Sequence, residues 1–190
     1  MTDMFKSRCY TGIGSRETPD DVVEFMERLA KVMADKGWGY YSGYARQADQ
    51  AFHRGARLSS NFDNTPSIDF LPWWGFEGAR DRQSSRFMVP SEYDTFERTI
   101  EIASQHHRYW DNLIDSHRKL HARNVHQILG PDLHHISNRV FCWAVPIKEG
   151  YRVKGGTGLA VALARTYNVP VDNLFYKHVR DRLERFMDAA

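Results

Sequence analysis

Gly155-Gly156-Thr157-Gly158, followed by Leu159-Ala160-Val161-Ala162-Leu163-Ala164-Arg165, is the stretch that decides how this chain is read. An apolar run, Val140 to Val145, precedes it, and a helical pattern follows it. A strand, a glycine-rich turn and a helix N-terminus together make an anion site. Glycines let the backbone approach a phosphate closely, amide N–H groups point at it, and the helix dipole favours negative charge. The plainer alternative is a glycine turn that only joins a strand to a helix.

The same arrangement recurs upstream. Cys9 to Ile13 reads as a short strand that runs into Gly14-Ser15-Arg16. A helix then starts at Pro19-Asp20-Asp21. Its apolar residues Val22, Val23, Met26, Leu29, Ala30 and Met33 recur at three- and four-residue spacing, and it stops at Lys36-Gly37. Trp38 to Ser42, Gly43 and a helix from Ala45 form a third unit. Further strands are expected at 67–71, 140–145 and 169–174. Helical patterns cover about 20–36, 45–57, 92–105, 110–129, 158–168 and 175–188. Alternating elements of these lengths imply a mainly parallel sheet of about five strands with helices on both faces. In such sheets ligands bind beyond the carboxyl ends of the strands, where strand order reverses. The segment 72–94 is read as an irregular loop on that same side, whose aromatics either stack on a base or a neighbouring subunit or, for Trp73 and Trp74, merely cap the core.

Composition sets the bounds. A chain of 190 residues, 42% hydrophobic, is expected to be one domain spanning 1–190 with a sizeable core. The net charge of +2 gives no strong field for duplex DNA. Cys9 and Cys142 both fall on expected buried strands, which suggests core thiols in a reducing compartment. No apolar run reaches the ~20 residues of a membrane span, and no signal-peptide pattern opens the chain, so a cytoplasmic place is expected.

Four ordered segments resemble the SLOG superfamily, which joins the Rossmann-like domain of the DNA-processing protein DprA/Smf to the LOG nucleotide hydrolases. They are Gly12 to Arg16; Ser42 to Phe52 with Gly55-Ala56; Leu71-Pro72-Trp73 with Gly75-Phe76; and Gly155 to Gly158. The chain is most similar to the small stand-alone DprA-like proteins of phages, and Lys119 to Gly130 resembles a stretch that those proteins carry before the fourth strand. The resemblance implies a Rossmann-like doubly wound fold, a nucleotide-type ligand, no further cofactor, a homodimer, and a bacterial or phage-infected cell. It implies phosphate contacts from Gly12, Gly14, Ser15, Arg16, Ser42, Gly43, Lys154, Gly155, Gly156, Thr157 and Gly158. The departures matter too. The LOG motif PGGxGTxxE has Lys154, Leu159 and Ala162 where it carries proline, threonine and the catalytic glutamate. Tyr44 and Gln47 stand where the pattern has glycines, so the second loop is expected to be bulkier and to reshape the pocket.

Cleaving an N-glycosidic bond needs a carboxylate near an oxocarbenium-like centre and a proton for the leaving base. Asp49 and Glu77 are the catalytic candidates. Asp49 alternatively satisfies amides at a helix start, and Glu77 is alternatively solvated. Glu17 reads as a surface or capping residue. Arg16 beside a glycine turn suits bidentate phosphate binding; the alternative is a surface arginine paired with a carboxylate. Arg123 and Asn124 are a further pair, of which only one is expected to reach the pocket, with core-edge hydrogen bonding the alternative for Asn124. Lys154 adds charge beside the glycines. The nine histidines show no zinc-ligand spacing, so no metal is expected; His106-His107 and His134-His135 read as surface or cap positions. Three functions stay open: nucleotide binding without turnover, nucleoside monophosphate N-glycosidase activity, and single-stranded DNA binding by Arg80, Arg82 and Arg86 beside the aromatics.

Overall fold

The computed structural model describes residues 8–147 and 152–190. In chain order the elements are β1 (Cys9–Gly14), α1 (Asp20–Asp35), β2 (Gly39–Ser42), α2 (Ala48–Arg57), β3 (Ile68–Phe70) and β4 (Phe87–Met88). These are followed by α3 (Phe96–Gln105), α4 (Asp115–Leu129), β5 (Val140–Trp143), β6 (Pro146–Ile147), β7 (Arg152–Val153), α5 (Thr157–Thr166), β8 (Val171–Asn173) and α6 (Lys177–Asp188). Six strands form one parallel sheet in the order β4-β3-β2-β1-β5-β8. The fold is α/β and Rossmann-like. β6 and β7 form a separate antiparallel pair.

Side-chain alternation along the strands sends residues to two cores. Tyr10, Tyr40, Phe141 and Trp143 meet α1, α2 and α6 on one face. Ile13, Val140 and Cys142 meet α3, α4 and α5 on the other. Burial on both faces explains the near-continuous apolar strands. It also pushes the Cys142 thiol up to about 12, so that side chain is an inert apolar filler. No helix among the described residues is long and apolar enough to cross a membrane.

The sheet has one strand more than expected. Phe87–Met88 pairs with Asp69–Phe70 inside the segment read as a loop. Part of the rest of that segment is also buried, although 80–83 and 91–94 are exposed. Phe76 and Ala79 are buried with Leu71, Ala45 and Val89, while Trp74 donates its indole N–H to Glu92 at 2.8 Å. Of the two tryptophans expected to cap the core, Trp74 packs partly buried against this cluster, whereas Trp73 is exposed.

Strand order sets the place of the site. The chain runs outward from β1 to β4, then returns to lay β5 on the other flank of β1. Gly14 and Trp143, the last residues of β1 and β5, are register partners. The backbone after β1 and the backbone after β5 therefore diverge from one point, and a crevice opens between them at the carboxyl ends.

Candidate functional site

A cleft of about 840 Å³ occupies that crevice, a size in the ligand-pocket range of about 300–1,000 Å³. Gly14, Ser15 and Arg16 line one side; Lys154, Gly155, Gly156, Thr157 and Gly158 line another. Arg123 and Asn124 on α4 both reach it, correcting the expectation that only one would. The structure thus brings together eleven of the expected positions, Asp49 among them. Gly12, Ser42, Gly43 and Glu77 are not among the lining residues. Gly12, Ser42 and Gly43 make close contacts within the fold. A Cβ on Gly12 would lie 2.4 Å from the Phe52 ring, and one on Gly43 would lie 2.4 Å from Gln127 Nε2. Ser42 donates its hydroxyl to the Gly12 carbonyl at 2.6 Å.

The two ligand-side loops are tied together through α4. Arg123 donates to the Gly43 carbonyl at 2.9 Å and to Asn124 Oδ1 at 3.4 Å. Asn124 donates to the Gly156 carbonyl at 2.9 Å. This fixes the orientation of the glycine turn, whose amides at the start of α5 have no partner within the helix. The three glycines differ in what the fold asks of them. Gly155 has φ +80°, a left-handed conformation, and a Cβ on Gly158 would approach the Val153 carbonyl to 2.9 Å. Gly156 has φ −61° and nothing within 4 Å of a Cβ. Only Gly156 meets no local demand of the fold.

Asp49 lies in the first turn of α2 and is 2% exposed. It accepts N–H bonds from Gly14 at 3.1 Å and Ala45 at 3.4 Å, so it clasps the loop after β1 to the loop before α2. Burial outweighs these bonds and the nearby Arg123 charge, and raises its carboxyl from 3.8 to about 6. Folded Asp49 therefore holds its proton more tightly than the unfolded chain does. Its stabilising contribution is complete below about pH 4 and is lost as pH rises through about 6, a change of about 3 kcal/mol. Urea unfolding of the wild type and Asp49→Asn between pH 4 and 7 should show that difference in slope. Parallel pH profiles would contradict the assignment.

Glu77 adopts φ 48°. It faces Arg46 at 3.1 Å and Arg16 at 3.9 Å. Arg16 is thus a cleft residue and an ion-pair partner at once, its side chain 56% exposed. The expected bulk of the second loop turns aside. Tyr44 and Gln47 both take positive φ, 58° and 66°, the conformation a glycine would hold most easily. The Tyr44 ring packs edge-on against His53 and Phe87, and neither Tyr44 nor Gln47 lines the cleft. The bulk of both side chains is thus turned away from the cleft.

Charge is concentrated here although the chain is nearly balanced. Arg16, Arg108, Arg123, Arg152 and Lys154 line the cleft, against the carboxylates Glu17 and Asp49. Two buried donors on its floor, Arg123 Nε and Gln127 Nε2, have no hydrogen-bond partner among the described residues. Leaving such groups unmet costs about 1–3 kcal/mol each.

Sequence reading missed the histidine wall. His106 and His107, read as a surface pair, line the cleft with His117 and His121. Only the i, i+4 spacing of His117 and His121 on one helix face signalled part of it. His134 and His135 are exposed loop positions, and Asp132 accepts both of their backbone N–H groups. Among the described residues no group of three or more His, Cys, Asp or Glu is placed to hold a metal ion.

The proposed DNA-binding arginines are partly committed elsewhere. Arg86 donates to the backbone carbonyls of Thr65, Ser67, Phe62 and Asp63. Arg82 lies over the Trp74 ring at 5.3 Å, and no residue of 72–94 lines the cleft. Comparison of the chain with protein-family models, curated proteins and solved structures returns no match.

Proposed function

We propose that this chain binds a nucleotide, with its phosphate on the Gly155–Gly156 turn beside Arg16. The observation that carries this reading is the convergence of the two glycine-turn loops on one cationic cleft at the strand-order switch. The N-terminus of α5 adds favourable dipole and amide groups. The unmatched donors of Arg123 and Gln127 suit phosphate or sugar oxygens.

Binding without turnover is favoured by Ala162, which lines the cleft at the position where the SLOG resemblance expects a catalytic glutamate. One observation favours a second reading, an N-glycosidase: the Asp49 carboxyl, at about 6, is poised for acid–base work at the edge of the cleft. Both of its oxygens, however, already accept backbone N–H groups.

The deciding assay incubates the protein with ribo- and deoxyribonucleoside monophosphates and measures free base by chromatography. The expected result is little or no release, since losing a general acid or base costs roughly 10²–10⁴-fold. Robust release that Asp49→Asn abolishes would establish the enzyme instead. For the phosphate contact, Arg16→Ala should weaken a bound nucleoside phosphate by about 1.5–3 kcal/mol, the scale of a hydrogen bond to a charged group. Unchanged affinity in calorimetry would place the anion elsewhere.

A further inference from the structure

On the wall beside Asn124, His107 and His121 stand with ring centroids 4.6 Å apart. Both line the cleft, and the Nδ1 atom of each is buried with no hydrogen-bond partner among the described residues. Structural imidazoles in this protein look different. His126 bonds Thr99 through Nε2 and the Gly130 carbonyl through Nδ1, both at 2.9 Å. Imidazoles that line a cleft and carry an unmet ring nitrogen are not explained by the fold alone.

We propose that this histidine pair is a second anion subsite, which takes the next phosphoryl group of a nucleoside diphosphate or longer phosphate chain and gains a proton as it does so. This rests on the phosphate reading of the Gly155–Gly156 turn. His117, His121 and Asn124 are spaced i, i+4, i+7, so they form one stripe along α4. His121 lies about 4.5 Å of helix rise before Asn124, the residue that holds the glycine turn. Through His121 the pair therefore stands close along α4 to the residue that holds the glycine turn, not a whole nucleotide's length away.

The charge around the pair explains the proton. His106 precedes the pair at the end of α3, His117 and Arg123 lie on α4, Arg108 follows His107, and Arg152 and Lys154 line the opposite wall. All are cationic or neutral. Burial first, then His107, Arg123 and His117, hold His121 at about 4. At neutral pH the His121 ring of the empty cleft is therefore uncharged. A phosphate placed against the cleft-side edges of the two rings supplies the missing anion and raises the His121 imidazole, which becomes a charged donor.

Calorimetry tests this with a nucleoside mono- and diphosphate of the same base, and with inorganic pyrophosphate. Each is titrated at pH 6.0 and 7.5 in two buffers of different ionisation enthalpy, which counts the protons taken up. The diphosphate should bind at least roughly 10-fold tighter than the monophosphate at pH 6.0 and take up about one more proton. His121→Gln and His107→Gln, each checked for an unchanged unfolding transition, should erase the extra proton and the diphosphate preference. Equal affinity and equal proton uptake for the two nucleotides would overturn the proposal, as would retention of both in the two variants. If no nucleotide binds, the phosphate reading of the glycine turn fails by itself. Histidine-dependent, proton-linked binding of pyrophosphate then still upholds the subsite, and its absence overturns it. Proton-linked binding confined to a single-stranded oligodeoxynucleotide would also overturn it, in favour of nucleic acid.

Discussion

Gly156→Val is expected to leave the fold intact and to weaken nucleoside phosphate binding by roughly 100-fold, about 2.7 kcal/mol. Both halves follow from the same geometry. The backbone of Gly156 is right-handed helical and its Cβ direction is open, so valine adds no clash and no strain within the protein. Its carbonyl remains free to accept from Asn124. What valine fills is the space in front of the first amides of α5, where a phosphate must sit to use them. Thermal unfolding monitors the first half and calorimetry the second. A well-folded variant with wild-type affinity would place the phosphate away from this turn. Gly155 and Gly158 would be poorer probes, because the fold itself demands glycine at both.

The second large effect lies in the scaffold. Gly55 is buried in α2 where it crosses α1, and a Cβ there would stand 2.1 Å from the Glu27 carbonyl oxygen. Two effects oppose each other in Gly55→Ala. Helix propensity favours alanine by about 1 kcal/mol. Overpacking against backbone, which cannot rotate away, costs about 3 kcal/mol or more. The clash wins, so a net loss of at least about 2 kcal/mol is expected, or a fall of about 4–8 °C in the unfolding midpoint of a domain this size. A midpoint that rises, as propensity alone would give, would refute the close helix crossing.

These two glycines show where sequence reading succeeds and where it stops. The glycine-rich turn before α5 was legible because strand, turn and helix follow one another locally, and the periodicity of 20–36 and 158–168 matched α1 and α5. Gly12 and Gly43 carried the same local signal, yet they serve the Phe52 ring and the Arg123–Gln127 pair, contacts made by residues distant in sequence. β4 was hidden because two paired residues inside a polar segment have no period to detect. α2 starts at Ala48 and not at 45, since Gln47 adopts a positive φ that no helical pattern announces. His106 and His107 look like any exposed polar pair. They reach the cleft only because α3 ends at Gln105 and packs on α4, which brings His107 against His121. Asp49 was found through its motif, but its clasp between Gly14 and Ala45 is a tertiary fact.

The most direct measurement is a backbone amide NMR titration of this 22.1 kDa protein with nucleoside monophosphates. Saturable shifts should appear together at Gly14, Ser15 and Arg16 and at Gly155, Gly156, Thr157 and Gly158, two segments far apart in sequence that line one cleft. Shifts confined to one segment, shifts that map to another surface, or none with any nucleotide would contradict the proposed phosphate site.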